Sequence, residues 1–133
     1  MSTRSMILRE EEDGRYFGIY CHHDGYLSHN GLILSTYYNT REKLDELLEL
    51  GDLSYLAPNL KPSSGVPHSF DNPQDCVCVF YGRDRGEEDV NAKYVTLEDL
   101  DNDPWIEYTY VFTRDNKWKY FRYKLLKYGL KEV

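Results

Sequence analysis

An α+β fold is predicted by three features of the sequence: apolar stretches alternating at strand period on either side of Asp13-Gly14, a leucine stripe at helical spacing between Arg41 and Leu50, and a second alternating pair near the C-terminus. The expected architecture is an antiparallel or mixed β-sheet with one helical segment, about residues 30–50, packed on one face. With 133 residues, 41% of them hydrophobic and 29% charged, the chain suits a single domain, residues 1–133. An extended Pro/Ser-rich loop is expected at about 57–74.

Met6, Ile7 and Leu8 precede the acidic run Glu10 to Asp13 and Gly14, and Tyr16 to Cys21 is apolar again, which is the signature of a β-hairpin. Its far end brings His22 and His23 near Arg4. The next residues, His22 to Tyr26, read as a strand end running into a turn, with Gly25 free to take positive φ. Residues 30–50 read as one bent or broken helical segment. Thr40 caps its second part, Leu44, Leu47 and Leu48 form the buried stripe, and Gly51 stands where a helix terminates. Asp52 to Leu56 adds a short turn of helix.

Pro58, Pro62, Pro67 and Pro73 with Ser63-Ser-Gly65 exclude regular structure from the following loop, and Phe70 pins it to the body, fixing His68 and Asp71. Cys76 to Tyr81 is the least interrupted apolar run and is expected to be a central strand buried on both faces. Ala92 to Val95 suggests a short strand and Thr96 to Leu100 a capped helical turn. Trp105 to Thr113 and Trp118 to Tyr123 form a second hairpin, and the basic tail from Leu125 can pair at the sheet edge.

Composition narrows the function classes. No window approaches the roughly 18 apolar residues of a spanning helix, and the N-terminus has no apolar signal region, so a cytoplasmic protein without membrane contact is expected. The 3 cysteines are expected to be free and mostly buried, since Cys76 and Cys78 point in parallel from one strand face. The net charge of −7 hides an asymmetry: residues 114–133 carry +5 and everything before them −12. A dipolar chain of this kind is able to associate with its own copies or with a basic partner, while the overall sign argues against nucleic acid.

Candidate site residues gather in three places. His22, His23 and Asp24, joined by His68 and Asp71, are of the types that hold a metal or move protons, but no ligand spacing of a zinc site is present and no metal or cofactor is expected. Adjacent histidines on an extended strand point to opposite faces, so at most one aims into a pocket shared with His68. Arg83 and Arg85 project to one side of an extended chain and suit an anion, unless Asp84, Glu87 and Glu88 neutralise them. The candidate ligand-binding residues are therefore Tyr26, Arg83, Arg85, His22 and His68. The alternative catalytic set is His22, His23, Asp24, His68 and Asp71.

The segments Ile19-Tyr-Cys-His-His-Asp-Gly-Tyr26, Gly31 with Tyr37 or Tyr38, Leu50-Gly-Asp-Leu-Ser54, His68-Ser-Phe-Asp71 and Tyr81-Gly-Arg-Asp-Arg-Gly-Glu87 resemble a family of short uncharacterised proteins encoded by bacteriophages and prophages. The resemblance covers about residues 4 to 95 and assigns no catalytic residue. It implies an accessory protein working in the host cytoplasm, binding a host protein or an anionic small ligand without catalysis, for example as an inhibitor of host defence. The alternative is a metal-assisted phosphohydrolase or nuclease using the His/Asp cluster, with Arg83 or Arg85 on the phosphate.

Overall fold

The computed structural model describes residues 2–133. Its centre is the expected hairpin, β1 (Ser5–Glu10) antiparallel to β2 (Tyr16–Cys21), with Ile7 opposite Ile19. Gly14 takes the positive φ of 86° that the connecting turn requires. After β2 come a π-type turn (Leu27–Gly31), α1 (Leu32–Tyr37) and α2 (Arg41–Glu49). Then follow β3 (Leu53–Tyr55), β4 (Val79–Phe80), α3 (Tyr81–Arg85), β5 (Lys93–Val95) and α4 (Leu97–Asp101). The chain closes with β6 (Tyr108–Phe112), β7 (Trp118–Arg122) and β8 (Lys131–Glu132).

These strands form one mixed sheet of order β4-β3-β2-β1-β6-β7-β8, with β5 also paired to β2. β1 runs parallel to β6 and β2 parallel to β3, and the other pairs are antiparallel. The fold is therefore α+β. Period-2 alternation sorts the side chains onto two faces. Ile7, Ile19, Cys21, Tyr110 and Phe112 face Leu34, Tyr38, Leu44 and Leu47 of the α1–α2 segment. Met6, Leu8, Val111 and Phe121 face the opposite way, under Leu100, Ile106, Leu126 and Leu130.

The broken helical segment is found as expected, and its parts have clear causes. The Thr40 hydroxyl accepts the Lys43 N–H at 3.2 Å, capping α2, and Gly51 ends it at φ 84°. The break at Tyr38 is fastened from both sides, because its hydroxyl donates to Ala57 O at 2.7 Å and its carbonyl accepts from the Trp118 indole at 3.0 Å. Thr96 caps α4 through the Asp99 N–H, and the C-terminal tail pairs as β8 at the sheet edge. Among the described residues no helix is long and apolar enough to cross a membrane.

Three expectations are corrected. Within residues 52–56 the chain forms β3 (Leu53–Tyr55) rather than a turn of helix, because it continues alongside β2 once Gly51 has ended α2. Cys76 to Tyr81 is not a central strand: only Val79–Phe80 is extended, it lies at the end of the sheet order, and Tyr81 already begins α3. Its apolar run has another use, since Val77 and Cys78 are buried beside Asn59, which accepts from Cys78 N–H at 2.9 Å and donates to Cys76 O at 3.1 Å. Cys76 itself is exposed at φ 62°, so only Cys21 and Cys78 of the free thiols are buried. Lastly, Arg83 and Arg85 sit on α3, where residues two apart do not share a side.

Candidate functional site

Past Cys21 the chain keeps company with β3. His22 N–H bonds Leu53 O at 3.0 Å and His23 N–H bonds Ser54 O at 2.9 Å. Positive φ then falls on Asp24, at 56°, and not on Gly25 as expected. Gly25 is required for a different reason. A Cβ there would lie 2.8 Å from Thr3 O and 2.7 Å from the Ser5 Cβ, so the turn is pressed onto the N-terminal segment.

Leaving the strand also changes how the histidines point. Instead of facing opposite sides, the His22 and His23 rings meet edge to face with centroids 4.5 Å apart. His22 Nδ1 lies 2.6 Å from the Tyr20 hydroxyl and His23 Nδ1 lies 2.9 Å from the Ser2 hydroxyl. Burial, with His23 and Arg4 nearby, lowers the pKa of His22, which keeps the ring neutral at pH 7. Tyr26 donates to Asp24 at 3.2 Å and stands 38% exposed.

His29 is spent on a buried network. Asn30 Oδ1 can only accept, so it takes the Nδ1–H of His29 at 2.9 Å, leaving Nε2 to accept from the Tyr55 hydroxyl at 3.0 Å. Asn30 then donates to Ser5 Oγ at 3.1 Å and to Cys21 Sγ at 3.4 Å. Cys21 is no nucleophile, because burial pushes its thiol up to about 12.

His68 is fully engaged as well. Its Nδ1 accepts the Gln74 N–H at 3.0 Å, which places the ring proton on Nε2, 3.4 Å from Asp84 Oδ2. Its side chain is 3% exposed and has no free lone pair, so it cannot act as a base. Asp84 is the centre of this cluster. It accepts from the Phe80 N–H at 2.8 Å and from Arg83 Nε at 2.9 Å, and its carbonyl accepts the Phe70 N–H at 3.3 Å. Burial alone pushes the Asp84 carboxyl up, but the bonds from Arg83 and Phe80 with the Arg83 charge outweigh it and hold the pKa below the ordinary value.

Arg83 is turned inward. It donates to Leu60 O, to Cys78 O at 2.9 Å and to the Asp84 carboxylate, and thereby joins the start of the long loop to its end. Arg85 stays at the surface, its guanidinium 4.8 Å from the Phe70 ring centroid and 3.7 Å from Glu87. Gln74 completes the fastening by accepting from Ser63 N–H at 2.9 Å and donating to Val66 O at 2.8 Å. The loop is irregular yet held at both ends and in the middle.

The fastened loop and the histidine turn face each other across a cleft of about 500 Å³, lined by His23, Ser54, Tyr55, Phe70, Gln74 and Cys76 among others. Of the candidate residues only His23 lines this cleft; Tyr26, His22, His68, Arg83 and Arg85 do not. β2 and β4 are separated by β3 and antiparallel to each other, so they are not the parallel neighbours that would aim His22 and His23 at Arg83 and Arg85. His23 lines the cleft, Arg85 lies behind Phe70 at its rim, and Arg83 and His68 brace its far wall from inside. Asp71 is exposed on the loop and does not line the cleft. Among the described residues no group of three or more His, Cys, Asp or Glu is placed to hold a metal ion.

Sequence reasoning missed Tyr55, Gln74 and Cys76 and gave Asp84 only the role of neutralising a neighbour. An Asp set between two arginines is the single signal that pointed at the cluster. Gln74 left none. No family model, curated protein or solved structure matches the chain.

Proposed function

We propose that the chain is a phage-type accessory protein that acts without catalysis, binding a host protein in the cleft between the His22–Tyr26 turn and the Phe70–Val77 wall. The observation that carries this reading is the Arg83–Asp84–His68 cluster, in which the Asp84 and His68 side chains are buried and Arg83 is partly exposed. A partly buried ion pair is poor at raising stability against an apolar alternative, but its bonds to Leu60, Cys78 and His68 tie those points together. Here what it fixes is an otherwise irregular loop, so the ordering cost that a mobile binding loop meets on contact falls before the partner arrives. Phe70, Tyr55 and Val77 supply apolar and aromatic surface, with Gln74, Ser54 and His23 offering polar contacts beside it.

A polypeptide suits the cleft better than the anionic small ligand also considered for this chain. The Arg83 donors are directed at the chain's own carbonyls and Asp84, and the carboxylate that lines the cleft, Asp75, would repel an anion. On this reading the protein works in the host cytoplasm, with a host-defence enzyme as a suitable target class. The test is native mass spectrometry of the protein recovered from phage-infected host cells with EDTA present throughout. A host polypeptide retained in fixed stoichiometry by the wild type and lost with Phe70→Ala supports the proposal. Retention unchanged by Phe70→Ala, or a phosphodiesterase activity abolished by EDTA and by Asp24→Asn, contradicts it and favours the metal-assisted hydrolase.

A further inference from the structure

On the other face of the sheet, away from the cleft, lies an open hollow of about 660 Å³. Its floor is apolar, from Met6, Val95, Leu100 and Ile106, and one wall is Trp105. That indole is 66% exposed, although Trp118 shows that the fold can bury an indole to 7%. The Arg4 guanidinium stands 5.0 Å from the Trp105 ring centroid and has no carboxylate within ion-pair distance among the described residues, in a chain of net charge −7. The one acid on the rim, Asp103, is turned to the backbone, where it accepts the Trp105 N–H at 2.9 Å. Tyr20 completes the rim, its hydroxyl beside the Arg4 guanidinium.

An apolar floor, a flat indole and, over that indole, a cation with no carboxylate partner select one ligand chemistry. We infer that this hollow is a binding site for a small planar aromatic anion, its ring laid on Met6, Val95 and Leu100 against Trp105 and its carboxylate, sulfonate or phosphate bonded to Arg4. Both halves are needed. A ring without the charge leaves the guanidinium unanswered, and a bare anion leaves the hollow open to water. The site is independent of the protein-binding cleft, since Arg4 and Trp105 do not line that cleft.

The test titrates the intact protein with 8-anilinonaphthalene-1-sulfonate, an aromatic anion with a planar naphthalene, and with its neutral counterpart N-phenyl-1-naphthylamine. The inference predicts one equivalent of the sulfonate bound, weakened about tenfold by Arg4→Gln, the loss expected for one partly exposed charge-assisted hydrogen bond. Trp105→Ala is expected to weaken both probes, while Arg4→Gln leaves the neutral probe unchanged. Both side chains lie at the surface, so circular dichroism of the variants is expected to match the wild type. The inference is overturned if Arg4→Gln and Trp105→Ala bind the sulfonate as the wild type does, or if the neutral probe binds as tightly as the anion. It is also overturned if sedimentation shows a dimer that Trp105→Ala dissociates, because the hollow is then an interface between copies.

Discussion

Gly18 on β2, and the Asp52 side chain that reaches β2 from the start of β3, answer the two points where the sheet has no room and no partner. A Cβ on Gly18 would lie 2.0 Å from Ile7 O, a backbone atom of the neighbouring strand that cannot step aside. Gly18→Ala is therefore expected to destabilise the protein by about 3 kcal/mol or more, read as a fall in the urea midpoint. Asp52 serves the gap where β2 passes from β5, opposite Gly18, to β3, opposite Cys21. Tyr20 N–H has no strand carbonyl there and donates instead to Asp52 Oδ1 at 2.8 Å. Burial raises the Asp52 pKa above its ordinary value, the Tyr20 bond offsetting this only in part. A carboxyl whose folded pKa is raised is a liability above that pKa, and the liability fades as pH falls toward the unfolded value of about 3.9. Asp52→Asn keeps the acceptor and removes the charge. Its urea midpoint is expected to exceed the wild type's at pH 7 and to match it at about pH 3.

At the scale of elements, the long loop and α3 behave as one unit held by Asp84. Its pKa is lowered, so its contribution is present above the unfolded value of about 3.9 and is lost as pH falls through the lower folded value. Asp84→Asn leaves Arg83 and His68 without their anion and is expected to cost about 2 kcal/mol, less than a fully buried pair because the Arg83 side chain is 24% exposed. The loss falls first on the loop, and chymotryptic cleavage after Phe70 is expected to accelerate in the variant while the β1–β2 hairpin stays resistant. Alternation and caps made β1, β2, α2, α4, β6 and β7 legible in the sequence, because in each of them local preference and burial agree. Cys76 to Tyr81 was misread because an apolar run signals burial, not its geometry. Val77 to Phe80 are buried by the loop base, by β3 on one side and by the start of α3, not by strands on both sides.

For the whole molecule, the sheet order decides which candidate residues meet, and that order depends on contacts between distant segments. The His22–Asp24 turn and the loop residues were visible as chemistry-bearing stretches, and Arg4 as a neighbour of His22. Their relation across β3 was not visible, since no local pattern tells a chain that β2 and β3 run parallel. The carboxylate that His68 meets, Asp84, was hidden for a similar reason, since it is brought in by α3. The same topology leaves one face with a fastened cleft and the other with the Trp105 hollow.

The central claim is that the cleft wall is built before any partner binds. Hydrogen exchange of the free protein at pH 7, resolved at the Phe70 and Gln74 amides, tests it most directly, because their N–H groups are donated to Asp84 O and His68 Nδ1. Exchange slowed at least about tenfold against an unstructured peptide, and restored to the peptide rate by Asp84→Asn, is the predicted result. Peptide-rate exchange in the wild type, or protection indifferent to Asp84→Asn, would contradict it.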